Sequence, residues 1–255
     1  MNLEDMNYLV IRFPKTIGKM SYAFPQDQVM IAFILGVFFS TTGFSIYYFL
    51  NRTGKNTTKT KHSIQANVKE VLFRRFSGIS IYLIFPLLIY LLLTGENLLY
   101  QYTGQISRES FLWFLPLGII LIILNYINAG RGDNLGMYPE IRKKEWSLSL
   151  LFLSALSWTL YLFAYEFLFR GILFIPAVQL FGFWPAVIIN IVFFLLLHVP
   201  KGIKEGIGSI FLGFVLCFLV VKTGSFWIAF FVHVTLALSS EWFSIYAHPE
   251  MKVVR

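Results

Sequence analysis

Apolar runs long enough to cross a bilayer alternate along this chain with short polar, basic stretches. A helix rising ~1.5 Å per residue needs about 20 residues to cross a ~30 Å hydrocarbon core. Residues 29–50 form the first such run. A polar stretch follows at 51–77, with Arg52, Lys55, Lys59, Lys61, Lys69, Arg74 and Arg75. Residues 78–100 carry the second span, which Pro86 is expected to kink. Past Arg108, residues 111–127 make the third, and 128–146 are polar again, with Arg131, Arg142, Lys143 and Lys144. The run 147–180 exceeds one crossing, so it is expected to tilt, or to break near Gly171 and Pro176. Residues 185–198, 206–221 and 226–246 complete the set. Gly206, Gly208 and Gly213 are expected to allow close helix contact. Residues 1–28 read as an interfacial or disordered lead, and 247–255 as a short basic tail. The fold class is therefore an all-α polytopic membrane protein with about seven transmembrane helices.

Composition agrees with this pattern. The 255 residues are 57% hydrophobic and 13% charged, with a mean hydropathy of +0.68, too little polar material to cover a soluble domain. A net charge of +8 would suggest nucleic acid in a soluble protein. Here the basic residues lie between apolar runs, which is the membrane-orientation pattern, and no nucleic-acid partner is expected. With 51–77, 128–146, 199–205 and 247–255 in the cytoplasm, that side holds fifteen of the 21 Lys and Arg residues and the opposite side holds five. The expected topology is N-terminus outside and C-terminus inside. Cys217 is the one cysteine, so no intrachain disulfide forms. No cleavable signal peptide is expected, because residues 1–28 lack an apolar stretch.

The scarce ionisable groups in the apolar runs carry the candidate chemistry. Tyr165-Glu166-Phe167-Leu168-Phe169-Arg170-Gly171 places an acid and a base inside the fourth run. Each costs at least about 2.5–3.5 kcal/mol at bilayer depth. Four residues apart on a helix, Glu166 and Arg170 lie within ion-pair reach. Asn190, Phe194 and His198 share a face of the fifth span, and His233, Ala237 and Glu241 share one of the seventh. Glu166, His198 and His233 converging on a wet cavity would activate water and hold an oxyanion. The same three also suit zinc, as two histidines and a glutamate with an open position. The bland alternative is that each is satisfied separately by a neighbouring carbonyl.

The order Glu166-x-x-x-Arg170-Gly171, Phe194-x-x-x-His198 and His233 resembles the CPBP (Abi) family of membrane proteases, which includes CAAX prenyl endopeptidases. The surrounding Phe167–Gly171, the glycines at 206–213 and Lys222-Thr223-Gly224-Ser225-Phe226-Trp227 agree. The resemblance covers 147–246, implying a four-segment bundle there with 29–146 as three preceding spans, and it implies a plasma membrane of bacterial type. It assigns catalysis to Glu166, His198 and His233 and a structural ion pair to Arg170. Two positions depart from it. Tyr165 stands where the family carries the glutamate taken as general base, and Ala237 where it carries Asn or Asp. A phenol with an ordinary pKa near 10 is a poor base, and losing an oxyanion donor typically costs ~10²–10³ in rate. Glu166 turning inward, Glu241, or a bound metal are the ways such a site would recover. The favoured expectation is a catalytically impaired scaffold or partner-binding subunit, contacting lipid and another membrane protein or a lipidated polypeptide. The alternative is an active intramembrane endopeptidase. A transporter is disfavoured, since no repeated half is visible.

Overall fold

A computed structural model of the chain describes residues 24–54, 68–198 and 203–254. Most of the 1–28 lead, and most of the loops at 51–67 and 199–205, lie outside these described residues. The helices are α1 (Gln26–Gly54), α2 (Val68–Ile79), α3 (Phe85–Thr94), α4 (Leu98–Tyr102), α5 (Arg108–Asn128), α6 (Gly132–Met137), α7 (Leu148–Glu166), α8 (Ile175–Phe181), α9 (Phe183–His198), α10 (Ile203–Thr223) and α11 (Trp227–Ala247). π-Helical segments join α2 to α3 at Ser80–Ile84 and α7 to α8 at Phe167–Phe174. Among the described residues six stretches are long and apolar enough to cross a membrane. α9 is apolar but has only 16 residues, about 24 Å of rise. The protein is an all-α polytopic membrane protein.

Local chemistry sets several ends. Asn97, Ser107 and Ser147 accept backbone N–H bonds at the starts of α4, α5 and α7. Gly95 ends α3 in the left-handed conformation, φ 73°, which favours glycine.

The prolines in the second and fourth spans act differently from a simple kink. Each sits at the start of a new α-helix, just after a π-helical turn. Phe85 N–H reaches the Ser80 carbonyl, five residues back. The widened turn shifts the ladder, so Pro86 falls where no N–H is required. The fourth run accordingly neither breaks nor stays regular.

Residues 164–178 are buried throughout. They form the axis of the bundle, wrapped by α1, α7, α8, α9 and α10. A helix apolar all round belongs in such a position. α11 packs mainly on α5 and α7, and α2 on α7.

Several sequence expectations need correction. The loop expected at 51–77 ends early, because α2 begins at Val68. Val71 packs with Ile141, Trp146 and Ile245, so burial extends the helix past its charged residues. Arg75 is consequently buried, not a loop cation. The tail is not free either. Strand β2 (Lys252–Val254) pairs in parallel with β1 (Glu145–Ser147), placing both at one end of the bundle. Of the three glycines on α10, a Cβ at Gly206 would meet Leu195 and one at Gly213 would meet Phe194, both at 3.3 Å, whereas Gly208 faces open space.

Gly36 of α1 makes the closest approach to the axis. A Cβ there would lie 2.8 Å from Leu173 Cα and 3.0 Å from the Ile172 carbonyl oxygen. Backbone cannot yield as a side-chain tip does. Gly36→Ala is expected to destabilise by about 1–3 kcal/mol through overpacking. Gly208→Ala should be neutral or stabilising. Thermal melting of both variants in detergent checks the contrast.

Candidate functional site

The axis places Glu166 at the last turn of α7 and Arg170 in the π-helical segment, both fully buried. Arg170 Nη1 lies 3.1 Å from Glu166 Oε2 and 3.3 Å from Oε1. Glu166 Oε1 also meets His233 Nδ1 of α11 at 2.5 Å. One carboxylate thus serves two partners, and the charge is matched inside the apolar bundle as burial requires. The Arg170 guanidinium stacks 4.1 Å from the Phe194 ring centroid, a cation–π contact. Its Nε makes no hydrogen bond.

On α9, Asn190 donates to the Phe169 carbonyl at 2.6 Å and accepts from the Cys217 thiol at 3.3 Å. His198 Nδ1 faces the Phe194 carbonyl at 2.8 Å. A carbonyl only accepts, so Nδ1 carries the proton and Nε2 of neutral His198 accepts. The same logic applies to His233, whose Nδ1 faces a carboxylate.

Tyr165 lies between these groups. Its ring centroid is 5.7 Å from Phe194, 5.8 Å from His233 and 6.5 Å from His198. Tyr82 and Tyr161 close the other side, at 5.8 and 6.0 Å. Only 4% of Tyr165 is exposed. Ala237 packs with Trp158 and Leu162.

Glu166, Arg170 and His233 are therefore in direct contact, and His198 reaches them through the Tyr165 and Phe194 rings. The zinc arrangement is not assembled. Among the described residues no three His, Cys, Asp or Glu side chains are placed to hold a metal ion. The carboxylate is turned to Arg170 and His233, so Glu166 does not swing away from Arg170. Glu241 is no substitute base at this site, since it accepts from Ser154 Oγ at 2.6 Å and faces Arg75 at 3.6 Å.

Buried Arg75 and half-buried Glu140 are partners that sequence reasoning missed. Glu241 on an apolar helix signals a need for a cation, and Val71, Arg75 and Gly78 follow the buried spacing of α2.

With this geometry in place, residues 146–239 match the family model of the Type II CAAX prenyl endopeptidase Rce1-like proteins. That part of the chain is similar to the Rce1-like family. The Rce1-like segment holds Glu166, Arg170, His198 and His233 and leaves α1 to α6 outside it. No curated protein and no solved structure matches the chain.

Removing Arg170 strands the Glu166 charge in the Rce1-like core. Arg170→Ala is expected to cost about 3–5 kcal/mol. Adding Glu166→Gln should recover part of that loss. Equilibrium unfolding of the single and double variants measures the coupling.

Proposed function

We propose that this Rce1-like membrane protein has lost efficient peptide cleavage and acts by binding a membrane-embedded partner, either another membrane protein or a lipidated polypeptide. The observation that carries this reading is Tyr165. It occupies the position of the family's general base and packs against Phe194 and both histidines. A phenol does not replace a carboxylate as base, and ring packing leaves little room for the attacking water. Ala237 removes a second polar group, and its neighbours Trp158 and Leu162 are apolar. Glu166 is occupied by Arg170 and His233.

The alternative is an active endopeptidase built on Glu166, His198 and His233. The contact between Glu166 and His233 favours it, because a carboxylate on Nδ1 fixes the tautomer and orientation of an imidazole.

The proposed setting is a plasma membrane, with the N-terminus outside and the C-terminus in the cytoplasm. Moving Arg75 from loop to core lowers the cytoplasmic count to fourteen basic residues against five. The asymmetry survives. The β1–β2 pairing supports placing 128–146 and the tail on one side.

A peptidase assay on a prenylated peptide in lipid vesicles separates the two readings. Wild type and His198→Ala are expected to give the same background. Tyr165→Glu combined with Ala237→Asn should raise cleavage by about 10² or more, following the typical worth of a base and an oxyanion donor. Adding His198→Ala should abolish that gain. Wild-type cleavage that disappears in His198→Ala would overturn the impaired reading. Mass spectrometry of chains co-purifying from native membrane tests the binding role, and recovery of the protein alone counts against it.

A further inference from the structure

The pairing of β1 with β2 sets Val254 opposite Ser147 at one end of the bundle. A cleft of about 740 Å³ opens there, beside the first turns of α2 and α7. That volume lies within the roughly 300–1,000 Å³ of small-ligand sites. Its apolar lining is Val68, Leu150 and Val254, and its charged lining is Lys143, Lys144 and Glu145.

The neighbouring chain fixes the depth of the cleft. Val68 and Leu148 begin stretches long and apolar enough to cross a membrane, Val68–Thr94 and Leu148–Phe181. Leu148 and Phe152 are 63% and 68% exposed, which suits a surface facing hydrocarbon. Lys143 and Lys144 stand just before that apolar run. The cleft therefore lies where hydrocarbon gives way to water, the level of the lipid headgroups.

The charged lining favours an anion. Lys252 holds Glu145 at 3.1 Å, and Glu250 lies 3.4 Å from Lys144. These two pairs cancel. Among the described residues Lys143 forms no ion pair, so it is the surplus charge. All four paired side chains are at least 62% exposed, and exposed pairs contribute little. Lys144 is thus free to turn to an incoming anion at small cost. A free phosphate or an acidic peptide would engage the lysines alone. A ligand carrying both a phosphate and an apolar body uses the whole lining.

We propose that this cleft holds an anionic phospholipid, with its headgroup phosphate between Lys143 and Lys144 and its glycerol and upper acyl chain against Val68, Leu150 and Val254. The seated lipid fastens the β1–β2 pair, and with it the C-terminal tail, to the membrane surface. The site shares no residue with the Tyr165 cluster and stands whichever reading of that cluster holds.

Native mass spectrometry of the full chain, released from vesicles of phosphatidylglycerol and phosphatidylcholine in equal parts, reads the retained lipid. Phosphatidylglycerol is expected to be retained about fivefold or more over phosphatidylcholine, the factor that one lysine contributes at an anionic surface. Lys143→Gln combined with Lys144→Gln should erase the preference, and both lysines are exposed, so the core is undisturbed. Arg108→Gln combined with Lys222→Gln removes the same charge at the opposite end and should leave the preference intact. Val254→Trp fills the cleft while keeping both lysines, and it should lower retention to the level of the double-lysine variant. If that variant does not fold, the comparison of the two double variants decides. Equal retention of the two lipids overturns the proposal, as does a preference that survives loss of both lysines. An equal fall in the Arg108 and Lys222 variant overturns it by assigning the effect to diffuse charge. Displacement of the lipid by free glycerol phosphate also overturns it, by assigning the site to a soluble anion.

Discussion

A carboxylate inside a membrane bundle has to be answered by a cation, and the contacts of Glu166 organise the core around that need. Arg170 answers it from the same helical run, and His233 of α11 adds a hydrogen bond to the same carboxylate. Arg170 is itself capped by the Phe194 ring of α9. Gly213 of α10 keeps the space next to it open, where a Cβ would come within 3.9 Å of Nη2. One buried charge thereby connects α7, the π-helical segment, α9, α10 and α11. None of these contacts is large alone, but losing one partner leaves the others facing an unpaired ion.

The helices outside the Rce1-like segment support that site through the backbone. The π-helical turn at Phe167–Phe174 carries Arg170 and precedes Pro176, and π-helical turns are frequent at functional sites. α1 lies directly against it at Gly36, close enough to exclude any side chain. The second π-helical turn repeats the arrangement at Tyr82, whose ring would meet a Cβ at Gly43 of α1. α1 is therefore packed against both widened turns. Proline alone does not produce them, since Pro116 sits inside α5 without one.

The spans were legible because crossing hydrocarbon demands long apolar runs, which composition displays directly. The Glu166–Arg170 register was legible because a four-residue spacing survives the change from α to π geometry. What failed is instructive. Arg75 reads as a loop cation in one dimension, beside Arg74 and after Lys69 and Glu70, and only packing against α7 reveals it as buried. The strands at 145–147 and 252–254 have three residues each, too few to show a period. Sequence also supplies residue types but not the direction in which a carboxylate turns, which for Glu166 is toward Arg170 and His233. The π-helical turns left no mark beyond the prolines that follow them.

Tyr165 and Ala237 are best understood together. His233 and Glu241 are eight residues apart on α11, about 12 Å by helix rise, and each anchors one ionic cluster. Ala237 sits midway, packed with Trp158 and Leu162. Tyr165 meets Tyr82 and Tyr161, whose own centroids are 6.1 Å apart. A polar residue at 237 and a carboxylate at 165 would each require water or a hydrogen-bond partner between the clusters. Alanine and tyrosine instead let aromatic and apolar side chains fill that space. On the proposed reading, the two departures replace a wet cleft with close ring packing around Tyr165 and apolar packing around Ala237.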